Sequence, residues 1–516
     1  MKKNICVVLL LLMSNYSLIV SSENLEPKPY QSNTSNNDLK TNGDKIKIGL
    51  YGIGLDVYWS QFEGLQERLQ GYQKLIADHM SGVDTKIEVI NTGIVDNPYK
   101  AREVGEFLAK QNVDAIFLYI STYALSSTVL PVVQKLKVPV IVLSIQPSKA
   151  IDYEAFNALG DRGKMTGEWL AYCQACSAPE IASVFNKAEI DYHLITGALD
   201  DESAWNEIDD WLDAIKIVSE LSKTRIGLLG HYYGGMLDVY SDVTQLSSTF
   251  GSHFEILEMS TLFKYRNEAT EDQLEEKIKQ FHRDFDVDPK CDEQELIRAA
   301  KSSVALETLV ENRNLGCMAY HYEGSDDKRY EDIITSVIPG NTLLTMHGVP
   351  IAGEYEVKNV IAMKIMDIMG VGGSFSEFYA LDLNDDIVLL GHDGPGHAKI
   401  AEGKVKLVPL PLYHGKPGKG LSIQMSVQHG PVTILSVVQE ADGKIKLLVA
   451  EGESVPGPIL NIGNTNSRYR FPVGAKMFLK EWSEQGPAHH MAIGVGHVAG
   501  KIEKVAKILG VKYTKI

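Results

Sequence analysis

From Ile46 onward, short apolar runs alternate with stretches in which apolar residues recur every three or four positions. The first pattern predicts buried strands and the second predicts amphipathic helices. Ile46–Tyr51, Ile87–Ile90, Ala115–Tyr119 and Pro139–Leu143 read as strands. Between them Gln61–His79 reads as a helix with Leu65, Leu69, Tyr72 and Leu75 on one face, followed by helices Ala101–Gln111 and Ser127–Leu136. Strand and helix in strict alternation predict a parallel sheet with crossover helices.

A second series follows. Tyr192–Thr196 is strand-like, Asp201–Leu221 is a long amphipathic helix, and Arg225–Gly230 is a strand ending in glycine. Residues 266–311 are charged and helical, Cys317–Tyr320 is a short strand, and Gly353–Gly370 reads as a helix packed through Val360, Met363, Ile365, Met366 and Met369. The pattern then changes to closely spaced strands at Ile387–Leu390, Gly420–Val427, Val432–Gln439 and Lys444–Ala450. Ala441-Asp442-Gly443 is a hairpin signal between the last two, and Val498–Leu509 closes the chain as a helix. The expected fold is α/β, with two Rossmann-like α/β domains (45–198 and 199–372) followed by a C-terminal β-rich, antiparallel barrel-like domain (373–516).

Residues 1–22 look unlike the rest. A short basic start, an apolar run from Ile5 and the small residues Ser21-Ser22 read as a signal peptide, which implies export to a periplasm or the exterior. Without export the chain would be cytoplasmic. Residues 23–44 are polar, with almost no apolar side chain, and read as a disordered linker. The net charge of −17 argues against nucleic acid or an anionic membrane as partner. Cys173-Gln174-Ala175-Cys176 is a CxxC with no second ligand pair nearby and a helix, not a strand, before it, so structural thiols or, in an exported chain, a disulfide are favoured over a zinc site or a redox pair. Glycine-rich strand ends at 49–54 and 227–235 match neither GxGxxG nor a phosphate-binding loop.

The candidate chemistry lies in the last third. Gly486-Pro487-Ala488-His489-His490 places two histidines side by side, with His497 seven residues on. Upstream stand Ala352-Gly353-Glu354, Gly373-Ser374-Phe375-Ser376-Glu377 and Leu390-Gly391-His392. If two carboxylates and two imidazoles converge, they suit Mn²⁺, Co²⁺ or Mg²⁺ better than an ion that prefers thiolates. Such an ion can bind vicinal sugar oxygens, and a carboxylate beside it can move a proton between neighbouring carbons.

In order and separation, these four motifs resemble the L-arabinose isomerase family, within the wider arabinose/fucose isomerase group. The resemblance covers about Gly348 to His497. It implies a metal-dependent aldose–ketose isomerase working through an enediol(ate). Glu354, Glu377, His392 and His490 would be the metal ligands, and Glu354 and Glu377 would also be the acid/base pair. His489 would be a neighbouring catalytic residue, with His397 as an alternative to His392. The resemblance further implies Mn²⁺ (or Co²⁺/Mg²⁺), a small sugar as substrate, and a homo-oligomer, trimer or hexamer. The N-terminal half departs from the family. Its Gly-Ser-Gln-His-Leu-Tyr-Gly stretch is here Tyr51-Gly52-Ile53-Gly54-Leu55-Asp56-Val57-Tyr58, and of its Phe-His-Thr-Gln only Gln146 is kept. Gln146 and Tyr320 are the candidate substrate contacts, with His321 and Glu323 beside the latter. The competing expectation is an exported, non-catalytic sugar-binding protein on the same scaffold.

Overall fold

The computed structural model describes residues 45–323, 327–411 and 418–516; the expected signal peptide and linker lie outside them. In chain order the first strands are β1 (Ile46–Ile53), β2 (Ile87–Val95), β3 (Ala115–Tyr119), β4 (Val140–Gln146) and β5 (Tyr192–Ala198). They form a parallel sheet in the order β2-β1-β3-β4-β5. Phe117, Tyr119, Ile141 and Leu143 are fully buried in it, as parallel strands covered on both faces require.

The next strands are β6 (Arg225–Gly230), β7 (His253–Leu257), β8 (Asp286–Val287), β9 (Cys317–His321) and β10 (Ile351–Ala352). Four of them make a second parallel sheet, β10-β9-β6-β7. The rest are β11 (Gly372–Asp382), β12 (Ile387–His392), β13 (Lys406–Leu410), β14 (Gly420–Gln424), β15 (Gly430–Gln439), β16 (Ile445–Val455), β17 (Thr465–Arg470), β18 (His490–Val495) and β19 (Lys512–Lys515). Strand β13 pairs with β14 on one side and β8 on the other in a small sheet. The others form one mainly antiparallel sheet, β15-β18-β11-β12-β17-β16-β19, in which β15 also pairs with β16. The chain is thus mixed α/β with parallel sheets first and a β-rich C-terminal part.

Four helical expectations need correction. The helix expected at Gln61–His79 runs Leu65–Val83, because Gly64 takes a left-handed φ of 78° and begins it there. Its inner face is Leu65, Leu69, Gln73, Ile76 and Met80, while Leu75 is 54% exposed. Gln73 is tolerated inside because its amide donates to Asn91 Oδ1 and Gly93 O. The helix expected at Ser127–Leu136 is only a short 3₁₀ turn, Ser126–Thr128, and one α-turn, Leu130–Val133, in which Pro131 lacks a backbone donor. Residues 266–311 span parts of three helices, Met259–Glu268, Glu271–Asp284 and Glu293–Arg313, broken by β8. The helix expected from Gly353 begins only at Val357.

That last helix, Val357–Ile368, is buried along nearly its whole length and joins the core shared with β11, β15 and β18. It forms the floor from which the catalytic candidates rise. Cys173 and Cys176 form a disulfide at the start of the helix Gln174–Lys187. Among the described residues no helix is long and apolar enough to cross a membrane.

Candidate active site

Three adjacent strands bring three of the four expected ligands together. Glu377 on β11 pairs in register with His490 on β18 on one side and with Gly391, next to His392, on β12 on the other. Glu354 arrives from the turn after β10. There Glu354 and Tyr355 both adopt left-handed φ, 55° and 60°, and this delays the helix. Two consecutive non-glycine residues in that region cost about 1–2 kcal/mol each, and backbone strain of this kind collects at functional sites.

The Glu354 carboxylate is the hub. Its Oε2 lies 3.4 Å from His489 Nε2 and 3.4 Å from His490 Nε2, and its Oε1 lies 4.0 Å from His392 Nε2. Glu377 Oε2 lies 4.0 Å from His489 Nε2. The ligand atoms that approach most closely as a group are those of Glu354, His489 and His490, all within 4.8 Å of one another. His489, expected only as a neighbour, therefore stands between the two carboxylates.

The donor set fits a divalent cation. Glu354 Oε2 and His490 Nε2 are buried, face each other, and have no hydrogen-bond partner; a buried polar atom left this way is costly unless a ligand satisfies it. Burial lowers the His392 imidazole, helped by the nearby His490 and His489 and opposed by Glu354, down to about 3. It is neutral, as a metal ligand must be. Burial alone would raise the Glu354 carboxyl, but the His489 imidazole 3.4 Å away, with the His490 and His392 rings around it, holds it at about 2.

Phe375 on β11 sets the two ligand rings, with its centroid 4.5 Å from His392 and 4.2 Å from His490. Behind His490, Glu356 Oε2 lies 3.6 Å from Nδ1, and Glu356 is 0% exposed. That carboxylate stands where a hydrogen bond to Nδ1 would fix the tautomer and ring orientation of a metal-facing imidazole. Lys358 Nζ lies 3.3 Å from the other Glu356 oxygen and donates to the Asp238 carbonyl at 2.8 Å. Sequence reasoning missed Glu356, Lys358 and Asp238. The first two could have been found as charges flanking Val357 within an otherwise apolar stretch, whereas Asp238 carries no local signal.

Asp238 Oδ2 accepts from His489 twice, from the backbone N–H at 3.0 Å and from ring Nδ1 at 2.6 Å. Burial alone would lower the His489 imidazole below its usual 6.5, yet its bonds to Glu354 and Asp238 raise it to about 9. Since the unfolded imidazole titrates near 6.5, these pairs stabilise the metal-free fold fully below that pH, and the contribution is lost as pH rises through about 9. In metal-free protein, His489→Gln should therefore lower the urea midpoint at about pH 6 and have little effect at about pH 10. A midpoint difference constant over that range would show that His489 is not the cation.

Gly391 is imposed by packing. A Cβ there would lie 2.2 Å from Thr465 O on the paired strand and 2.7 Å from the Tyr379 ring. Gly391→Ala should destabilise the protein by about 1–3 kcal/mol by overpacking, read as a lower thermal midpoint, and should displace the adjacent His392.

Glu354, Glu377, His392 and His489 line one cavity of about 210 Å³, together with Tyr320 from β9. Burial, offset by the nearby Asn341 amide and assisted by the charge of Glu354, pushes the Tyr320 phenol up to about 12. Gln146 is not brought to this cavity. It ends β4 in the first sheet and lines a separate cavity of about 240 Å³ with Lys149 and Asp201, and its amide donates to Ser148 O. His397 is buried away from the cavity, its N–H donating to Ser374 Oγ, and His497 is held by Gly452 O.

Residues 372–512 match the L-arabinose isomerase C-terminal domain family. Over 434 residues the chain is 19% identical to an L-arabinose isomerase of Clostridium beijerinckii, covering 82% of this chain and 85% of that one. It is 21% identical to one of Bifidobacterium longum, covering 80% and 81%. It is also 19% identical to one of Oceanobacillus iheyensis over 340 residues, covering 63% and 69%. Glu354, Glu377, His392 and His490 thus converge in a chain that is a divergent relative of the L-arabinose isomerases, with a C-terminal domain of their type.

Proposed function

We propose that the protein is a metal-dependent aldose–ketose isomerase acting on a neutral sugar through an enediol(ate). The observation that carries this reading is the pair of carboxylates, Glu354 and Glu377, on either side of the His489 imidazolium in one cavity. Glu354, Glu377, His392 and His490 would hold Mn²⁺, or Co²⁺ or Mg²⁺, whose preference for mixed oxygen and nitrogen donors they match. When bound, the ion would polarise the sugar oxygens. The two glutamates would exchange the proton between C1 and C2 as base and then acid. His489, fixed by Asp238, balances their negative charge. The close approach of Glu354, His489 and His490 favours a second ligand set in which His489 replaces the more distant Glu377 and His392.

The same reading takes the two parallel sheets as Rossmann-like domains, 45–198 and 199–372, and the ring of strands in 373–516 as barrel-like. It further takes the protein to be exported and to form a homo-oligomer, with a sugar and no nucleic acid as partner. The test strips the purified protein with chelator, titrates Mn²⁺ by calorimetry, and screens pentoses, hexoses and deoxyhexoses for ketose. Saturable Mn²⁺ binding with metal-dependent ketose formation supports the isomerase. Sugar binding that survives chelation, with no turnover, would instead support the exported sugar-binding protein.

A further inference from the structure

Cys173 and Cys176 form their disulfide in the crossover from β4 to β5 of the first parallel sheet. The helix Arg162–Ala171 stands before the motif, where a redox pair has a strand. A second helix, Gln174–Lys187, nevertheless begins inside the motif and has Cys173 as its N-cap. A CxxC at the head of a helix, within a strand–helix–strand unit, is a setting in which such pairs are reactive.

The bond does little for the fold. It joins residues three apart in sequence, and a disulfide restricts the unfolded chain less the shorter the loop it closes. The start of the helix is held without it. Gln174 is 1% exposed, and its amide donates to Ser121 O at 2.9 Å and to Ala171 O at 2.8 Å. Ser177 Oγ accepts from the Ala124 N–H at 3.0 Å and donates to Ala124 O at 3.2 Å. The Cys173 N–H donates to Leu170 O at 3.3 Å, and that oxygen also accepts from Thr122 Oγ1 at 2.7 Å. These bonds tie the motif to the segment after β3, so the dithiol form keeps its backbone.

The two sulfurs differ. Cys173 is 1% exposed, whereas Cys176 lies in the open. An incoming thiolate therefore reaches the Cys176 sulfur, and Cys173 is the leaving group. In the disulfide, Cys173 makes no side-chain capping bond. Once released, its thiolate stands at the N-cap, where the N–H groups of the first helical turn can stabilise it as they would a Ser or Asp oxygen. That offsets burial, which disfavours a thiolate.

We propose that Cys173–Cys176 is a thiol–disulfide exchange site for low-molecular-weight thiols of the glutathione class. One thiolate attacks Cys176 Sγ; a mixed disulfide forms there as the Cys173–Cys176 bond breaks, and the electron pair leaves on Cys173 Sγ. A second thiolate attacks the mixed disulfide at the sulfur of the first thiol and releases Cys176 Sγ. Two thiols are thereby oxidised to their disulfide, and their two electrons and two protons convert the cysteine pair to the dithiol; the reverse sequence restores it. The proposal is independent of the isomerase reading, and either can fail alone.

The test equilibrates the full chain, without denaturant, in buffers of varied ratio of reduced to oxidised glutathione. Thiols are then trapped by alkylation, and the peptide holding residues 173–176 is mapped by mass spectrometry, which separates it from the free Cys291 and Cys317. The pair should pass from disulfide to dithiol within that series, with the near-ultraviolet circular dichroism of the fold retained. In Cys173→Ser, glutathione should stay on Cys176. In Cys176→Ser, the buried Cys173 should form its adduct at least about tenfold more slowly. A pair that stays oxidised in the native protein and yields only in urea overturns the proposal, and so does reduction that abolishes the near-ultraviolet signal. Adduct formation at Cys173 as fast as at Cys176 overturns the assignment of the attacked sulfur. The wild-type titration needs neither variant and decides the proposal even if one of them fails to fold.

Discussion

Replacing Glu354 by Gln should lower kcat/KM for aldose isomerisation by at least about 10³-fold and weaken Mn²⁺ binding in the same variant. Gln keeps the length of the side chain and the strained turn at 354–355, so the loss reports charge and proton transfer rather than shape. The size of the effect follows from how many roles converge on one group. Oε2 meets His489 and His490 at 3.4 Å each, and Oε1 faces His392 at 4.0 Å. A readout independent of turnover accompanies it. Since Glu354 is one of two carboxylates holding the His489 imidazole at about 9, the variant's His489 should titrate lower by NMR. Turnover within tenfold of wild type would remove Glu354 from the mechanism.

Lys358→Met should destabilise the protein by about 3–5 kcal/mol, the usual cost of stripping the partner from a buried charge. Glu356 is 0% exposed and neither of its oxygens has a hydrogen bond, so Lys358 at 3.3 Å is its principal counter-charge. Met matches the aliphatic stem, which leaves the ammonium as the difference. The double variant Glu356→Gln/Lys358→Met should lose less than the sum of the singles, since neither charge is then stranded; coupling of about 0.5–3 kcal/mol is typical of such pairs. Urea midpoints measure all four proteins. A loss below about 1 kcal/mol for Lys358→Met would be that of a solvated surface pair and would contradict the buried-charge account.

The alternation of strands and helices was legible because burial on both faces makes parallel strands continuous apolar runs, as in β3, found at the expected residues. Boundaries failed where one residue's backbone overrode the pattern. Gly64 delayed the first helix, Pro131 reduced another to a turn, and the left-handed pair Glu354-Tyr355 set back the helix after β10. The four expected ligands were legible only through resemblance, because they are scattered from 354 to 490 and meet by strand register rather than by local spacing. What the sequence hid is what surrounds them. Asp238 reaches His489 across 251 positions, and Tyr233, from the loop after β6, lines the same cavity as the glutamates. Gln146 was placed by analogy with a substrate contact, and within this chain it lines another cavity.

The proposed isomerase transfers a proton between neighbouring sugar carbons at the Glu354–Glu377 cavity. Its most direct test is ¹³C and deuterium NMR of an aldose incubated with the Mn²⁺-loaded protein in D₂O. An isomerase should yield ketose carrying solvent deuterium at C1, absent after chelation and absent in Glu354→Gln. Metal-loaded protein that binds the aldose yet yields no ketose and incorporates no deuterium would contradict it.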